Sequence, residues 1–194
     1  MSMQRLRTAL ALFGAFSLAT LLAAAVMVHL AFGTVQADAP GHYWSAAKVL
    51  LRTGDPAEAT VWKARVGGGL SFAQVETAIR RLTRDMTLHE AATLPLGDDV
   101  AAMQGTPWRK LHIYLYCSPL TAARMIEYSD AFAAHLPCRI ALLEDAQGAL
   151  WLYAPNLDLL FEGGRRLPDG VRSAASELRD LVRDLMERAA AGAL

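Results

Sequence analysis

The side chains with the most chemistry in this sequence are two cysteines, Cys117 and Cys138. Ser118-Pro119 directly after Cys117 reads as a helix start, with Ser as cap and Pro at the first helical position. A thiol at a helix N-terminus feels the positive end of the dipole, which lowers its pKa and raises its thiolate fraction. Soft thiolates with Met103 or Met125 nearby would suit cuprous copper. Three states remain open: two buried apolar thiols, one structural disulfide, or a redox-active or metal-binding pair. Against the last stand the missing CxxC spacing and the lack of paired histidines. A disulfide needs Cα atoms about 4.4–6.8 Å apart. A straight helix from Ser118 to Leu136 would be roughly 28 Å long and would separate the sulfurs. A break near Ser129-Asp130 would let the chain double back and bring them together.

A second constellation comes from alternation along residues 109–117. Leu111, Ile113, Leu115 and Cys117 share one face of a strand; Lys110, His112, Tyr114 and Tyr116 share the other. Trp151 and Tyr153 alternate in the same way with Leu150 and Leu152. If helices cover the aliphatic face, then His112, Tyr114, Tyr116, Trp151 and Tyr153 form an exposed aromatic surface. Such a surface marks an interface or ligand site, and Tyr and Trp anchor it well. The opposing reading is that another element, such as the Tyr43-Trp44 segment, covers these rings internally.

Other chemistry-bearing patterns reduce to structure. Gly67-Gly68-Gly69 between a strand and a helix lacks both Gly-Lys-Ser/Thr and GxGxxG, and reads as a flexible turn. Asp98-Asp99 at a helix start suits the dipole and free amides there. Arg80, Arg81 and Arg84 read as a solvated helix face. Neither Ser118 nor Ser129 lies in GxSxG, so no hydrolase set is assigned and an enzyme is not the favoured reading.

The elements that must position these groups follow from local signals. Val61–Val66 is an alternating strand. Ser71 and Gln74 make a capping box for a helix whose apolar face is Phe72, Val75, Ile79 and Leu82. Residues 87–94 read as a second strand, 98–104 as a helical turn, and 109–117 as the third strand. A helix from Pro119 follows with the stripe Leu120, Ala123, Ile126 and Phe132, and a break near Tyr128-Ser129-Asp130. Residues 140–144 and 149–153 pair across the turn Asp145-Ala146-Gln147-Gly148. NLDLLF (156–161) reads as a short apolar helical turn. An amphipathic helix from Pro168 to Ala191 closes the core through Val171, Ala174, Leu178, Leu181, Val182 and Leu185, with Arg183–Glu187 and Asp184–Arg188 as i,i+4 pairs. The order predicts an α+β fold, a small mostly antiparallel sheet with helices on one face.

Upstream, Arg5 and Arg7 precede an uncharged run from Thr8 to Gly33, long enough to cross a bilayer core of about 30 Å as a helix. A cleavable signal has an apolar region of about 7–15 residues, so residues 1–37 are expected to be an uncleaved anchor. Val35-Gln36-Ala37 keeps a cleaved, soluble periplasmic form open. Residues 38–60 read as a connector in which WSAAKVLLR lies as a short helix against the membrane surface or the domain. Residues 61–192 form one α+β domain. All nineteen acidic residues and all but two of the nineteen basic ones follow Ala37, which leaves the domain near neutrality and argues against nucleic acid as a partner.

Tyr116-Cys117-Ser118-Pro119, Leu136-Pro137-Cys138-Arg139-Ile140, Leu143-Glu144-Asp145 with Gly148, and Asn156-Leu157-Asp158 together resemble domain-of-unknown-function family 302. That family's pattern is a strand ending Cys-Asn-Pro, a helix, Leu-Pro-Cys opening the next strand, an acidic hairpin and an Asn/Asp-rich exit. The likeness runs from Val61 to Phe161; Ser118 and Arg139 stand where Asn is usual. It implies a TATA-binding-protein-like sheet with helices on one side, and no activity. The function expected is a membrane-tethered periplasmic binding or accessory module, single-pass in a bacterial inner membrane through residues 8–33. It would contact a partner protein, a second copy or a small apolar ligand through the aromatic face. The other expectation is a thiol-based redox or copper-type protein centred on Cys117 and Cys138, and no other cofactor is expected.

Overall fold

The computed structural model describes residues 3–84, 86 and 88–193. Helix α1 (Met3–Phe32) is followed by α2 (Ala39–Thr53), α3 (Pro56–Ala59), β1 (Val61–Arg65), α4 (Phe72–Arg84), β2 (His89–Leu94), α5 (Leu96–Gln104) and β3 (Leu111–Cys117). Then come α6 (Pro119–Tyr128), a 3-10 turn (Asp130–His135), β4 (Cys138–Glu144), β5 (Leu150–Pro155), α7 (Leu157–Phe161) and α8 (Asp169–Ala190). The five strands form one antiparallel sheet in the order β1-β5-β4-β3-β2. Beyond residue 60 every expected element is present. The second strand begins at His89, and Thr87 lies outside the described residues.

Two local signals acted as read. Ser71 Oγ accepts from Gln74 N at 3.3 Å while Gln74 Oε1 accepts from Ser71 N at 2.7 Å, which closes the capping box of α4. The hairpin turns on Gly148, whose φ of 79° is the positive value such a turn wants. Asp145 Oδ1 braces the same turn by accepting from Gln147 N at 2.9 Å and Ala149 N at 2.8 Å. The connector is more ordered than expected, since α2 and α3 fill most of it.

Helices α4, α6 and α8 pack together on one sheet face, with α8 between the other two. Beneath them lie Tyr114, Tyr116, Ile140, Leu142, Leu152 and Ala154, all buried, with Val75, Ile79, Leu178, Val182 and Leu185 from the helices. The alternation of β3 is therefore as read, but its sidedness is reversed. Tyr114 and Tyr116 face the helices, whereas Leu111, Ile113, Leu115 and Cys117 line the open side and are half-buried. Area is the reason. A tyrosine ring buries more apolar surface than a leucine, and these two stack at 6.4 Å under α4.

Three further expectations are corrected. Helix α6 breaks at Ser129 as read, but its buried side chain is Met125, while Leu120 is 76% exposed and Ala123 also faces water. Contact with α8 selects that face. Ser118 sits at the N-cap without a side-chain cap bond. On α8, Asp184–Arg188 forms at 3.2 Å, while Arg183 Nη2 reaches across to Asp158 Oδ2 at 2.7 Å.

The phase of α6 has a direct consequence. Met125→Ala should destabilise the detergent-solubilised chain by about 2–4 kcal/mol, and Leu120→Ala by less than about 0.5 kcal/mol, in urea titrations followed by circular dichroism. The reverse order would contradict the packing described.

Candidate functional site

The expected aromatic surface is divided between two faces. His112, Tyr114 and Tyr116 project under α4; Trp151 and Tyr153 belong to the open side, because Leu143 pairs with Trp151 and Ala141 with Tyr153. Tyr114 and Tyr116 retain 0% and 1% of their exposure, so neither can serve as a surface contact.

Under α4 these rings join a polar cluster. His112 Nδ1 lies 3.2 Å from Glu76 Oε1, and the same oxygen accepts from Arg80 Nη2 at 3.2 Å. Arg80 reaches Glu90 at 3.4 Å, and Thr93 Oγ1 donates to Glu90 at 2.6 Å. Asp98 approaches His112 Nε2 at 3.6 Å, so this carboxylate faces an imidazole besides the start of α5. Arg80 therefore does more than solvate a helix face: it joins α4 to β2. Phe72 meets the His112 ring edge-on at 5.0 Å. The Tyr114 hydroxyl lies beside Glu76 and that of Tyr116 beside Thr83, both short of good hydrogen-bond geometry. Burial pushes the Tyr116 phenol up to about 12 and Tyr114 higher still. Burial also works to raise Glu76, but hydrogen bonds from Arg80 and His112 outweigh it and hold its carboxyl below the ordinary range. This half-exposed cluster lies over the buried rings of Tyr114 and Tyr116 and fastens α4 to β2 and β3.

The cysteines are not brought together on one side. Tyr116 pairs directly with Cys138, so Cys138 shares the covered face and Cys117, one residue on, projects to the open one. Both thiols are free. Burial, with Cys117 nearby, pushes the Cys138 thiol up to about 11, the opposite of an activated thiolate. Met125 is buried in the core and Met103 is 89% exposed, so neither completes a copper site around a cysteine pair. No group of three or more His, Cys, Asp or Glu suited to a metal ion occurs among the described residues.

What the sheet leaves uncovered is an apolar surface. Leu111, Ile113, Leu115, Ala141, Leu143, Trp151 and Tyr153 are each half-buried on it, and Leu94 on the β2 edge is 46% exposed. Trp151 is fixed within it. Its Nε1 donates to Asp145 Oδ2 at 2.8 Å, and the cations of Lys63 and Arg65 each sit 5.9 Å from its ring. The bond from the Trp151 indole, with two backbone amides, holds the Asp145 carboxyl low. Tyr153 tilts against Trp151 at 6.5 Å. At the end where β4 starts and β5 finishes, Ala134, His135, Arg139, Tyr153 and Leu160 line a cleft of about 340 Å³. Trp151 and Tyr153 are on this face, but their aliphatic neighbours escaped the sequence reading because those positions were assigned to the core.

Two measurements check this geometry. Cys117 should react with an aromatic disulfide reagent in the native protein at pH 8, Cys138 only after unfolding, and prior reduction should change neither. Because Glu76 is depressed in the fold, its contribution is present above the carboxylate range and lost as pH falls through its folded value. Glu76→Gln should therefore lower Tm by a few degrees at pH 7, and the difference should close as pH falls below the ordinary carboxylate range. A constant difference across that range would remove Glu76 from the account.

Comparison with known proteins agrees with this architecture. A structure titled as an uncharacterised conserved protein DUF302 from Bacillus stearothermophilus aligns with a TM-score of 0.54 and 12% identity, covering 67% of this chain and 98% of that one. At that identity the likeness concerns the fold. No curated protein matches the chain. The profile of the domain of unknown function DUF302 matches residues 63–189, which takes in α8 as well as the stretch where the motifs fall. The chain belongs to the DUF302 family.

Proposed function

We propose that the protein is a bilayer-tethered binding module that associates with a second copy of itself through the open face of its sheet. The observation that carries this reading is the one-sided packing: helices cover one face, and the other presents a continuous apolar surface around Ile113, Leu143, Trp151 and Tyr153. Five strands at about 4.8 Å spacing and roughly 20 Å length give a flat face of about 500 Å². Two such faces total on the order of 1,000 Å² before side-chain relief, near the lower limit for a specific interface. Antiparallel sheets pack on one another at about 10 Å in this way.

The tether supports the choice of partner. Helix α1 contains one stretch, Leu10–Leu30, long and apolar enough to cross a membrane. Confining two copies to one bilayer raises their effective concentration and lets a modest interface suffice. Arg5 and Arg7 ahead of that stretch favour a cytoplasmic N-terminus, which puts the domain in the periplasm of a single-pass inner-membrane protein.

The test is energy transfer between donor- and acceptor-labelled full-length chains in vesicles at high lipid dilution. Trp151→Ala combined with Ile113→Lys should lower transfer at least tenfold while far-ultraviolet circular dichroism is unchanged. Transfer indifferent to these substitutions would remove the open face as the interface.

A further inference from the structure

Helix α2 follows α1 after a six-residue connection, and its APGHYWSAAKVLLRT sequence contains no acidic residue. One side of it is docked. Ala39 is buried, and His42 Nε2 lies 2.9 Å from Glu162 Oε2 in the turn after α7. The connection itself is fastened to the loop before α8. Val35 bridges Arg165, Gln36 N donates to Gly164 O at 3.0 Å, and Gln36 Nε2 donates to Phe161 O at 3.0 Å.

The other side of α2 is exposed and apolar. Tyr43 is 56% exposed, Trp44 61%, Leu50 42% and Leu51 81%. At 100° per residue, Tyr43, Trp44, Ala47, Leu50 and Leu51 fall within an arc of about 120°, one contiguous stripe. Lys48 borders this stripe, Arg52 lies farther round the polar side of α2, and Arg165 and Arg166 are exposed in the loop that holds the connection. None of these four cations has a carboxylate within salt-bridge distance among the described residues.

We infer that α2 lies in the membrane–water interface, with Trp44 and Leu51 in the headgroup and upper acyl region and the flanking cations on anionic headgroups. The inference rests on α1 being the tether. The occupant of the stripe is then a lipid surface, because α2 follows the membrane-crossing segment after only six residues and carries the mixture that region favours: aromatic rings, leucines and basic residues. The domain does not swing freely on its anchor; it is held by two attachments, α1 through the bilayer and α2 along it. Docking of Val35 and Gln36 onto the α7–α8 loop transmits that orientation to the sheet.

The experiment uses the full-length chain in phosphatidylcholine–phosphatidylglycerol vesicles with acyl chains brominated near the headgroup. Of the four tryptophans, Trp44 should be quenched, and Trp44→Phe should abolish that component of quenching. Leu51→Asp, at a position that contributes nothing to the core, should shift the Trp44 emission to the red. Equal quenching in wild type and Trp44→Phe would overturn the placement of α2. Alkaline carbonate extraction separates the two readings. A chain that stays in the membrane pellet without Trp44 quenching defeats only the α2 inference, whereas release into the supernatant defeats the tether.

Discussion

The structure depends on one constraint: a five-stranded sheet of small area buries only one of its faces. Helices α4, α6 and α8 supply enough apolar surface for one side, and the side they take carries Tyr114, Tyr116, Ile140, Leu142, Leu152 and Ala154. Covering these six side chains removes their apolar area from water, at about 25 cal/mol per Å². With those rings sealed, the aliphatic positions of β3 and their neighbours Leu143 and Trp151 are left outside.

Burying tyrosines next to a helix has an electrostatic consequence. Their hydroxyls end among Glu76, Arg80 and Thr83, where a lone charge would be costly. Glu76 is shared by Arg80 and His112, and Arg80 continues to Glu90, so the charges under α4 are paired across three elements. Burial pushes the two phenols up, and the set resembles catalytic machinery in composition. Its charges are paired with one another across α4, β2 and β3 above the buried rings of Tyr114 and Tyr116, which makes it a fastening. A second set acts similarly at the other end of the fold. Arg179 joins Glu162, Asp158 and Asp180, Arg183 joins Asp158, and Arg183 covers the Trp62 ring at 4.6 Å, so α8 is locked to α7 and β1. Because α7 also receives α2 through Glu162 and His42, the anchor side and the sheet are mechanically continuous.

Much of the fold was legible in local signals, and the reasons are specific. The Ser71–Gln74 box, the Asp145–Gly148 turn, the Ser129 break and the apolar stripe of α8 each depend on atoms within a few residues of one another. The candidate surface was much less legible. Alternation along β3 says that Tyr114 and Leu115 face opposite ways, but not which way is inward. The kinship of Trp151 with Leu111 and Leu143 follows only from the registers of β3 with β4 and of β4 with β5. The phase of α6 failed for a similar reason, since Met125 and Ile126 are both apolar and contact with α8 chose between them.

The sequence by itself determined the order of elements, the hairpin, the family and an apolar N-terminal helix of membrane-spanning length, because each is written in neighbouring residues. Tertiary structure alone decided which sheet face is covered, that the two thiols point to opposite sides, and that α2 keeps an apolar stripe outward. Those outcomes rest on which surfaces compete for a limited area of helix, a comparison between segments far apart in the chain.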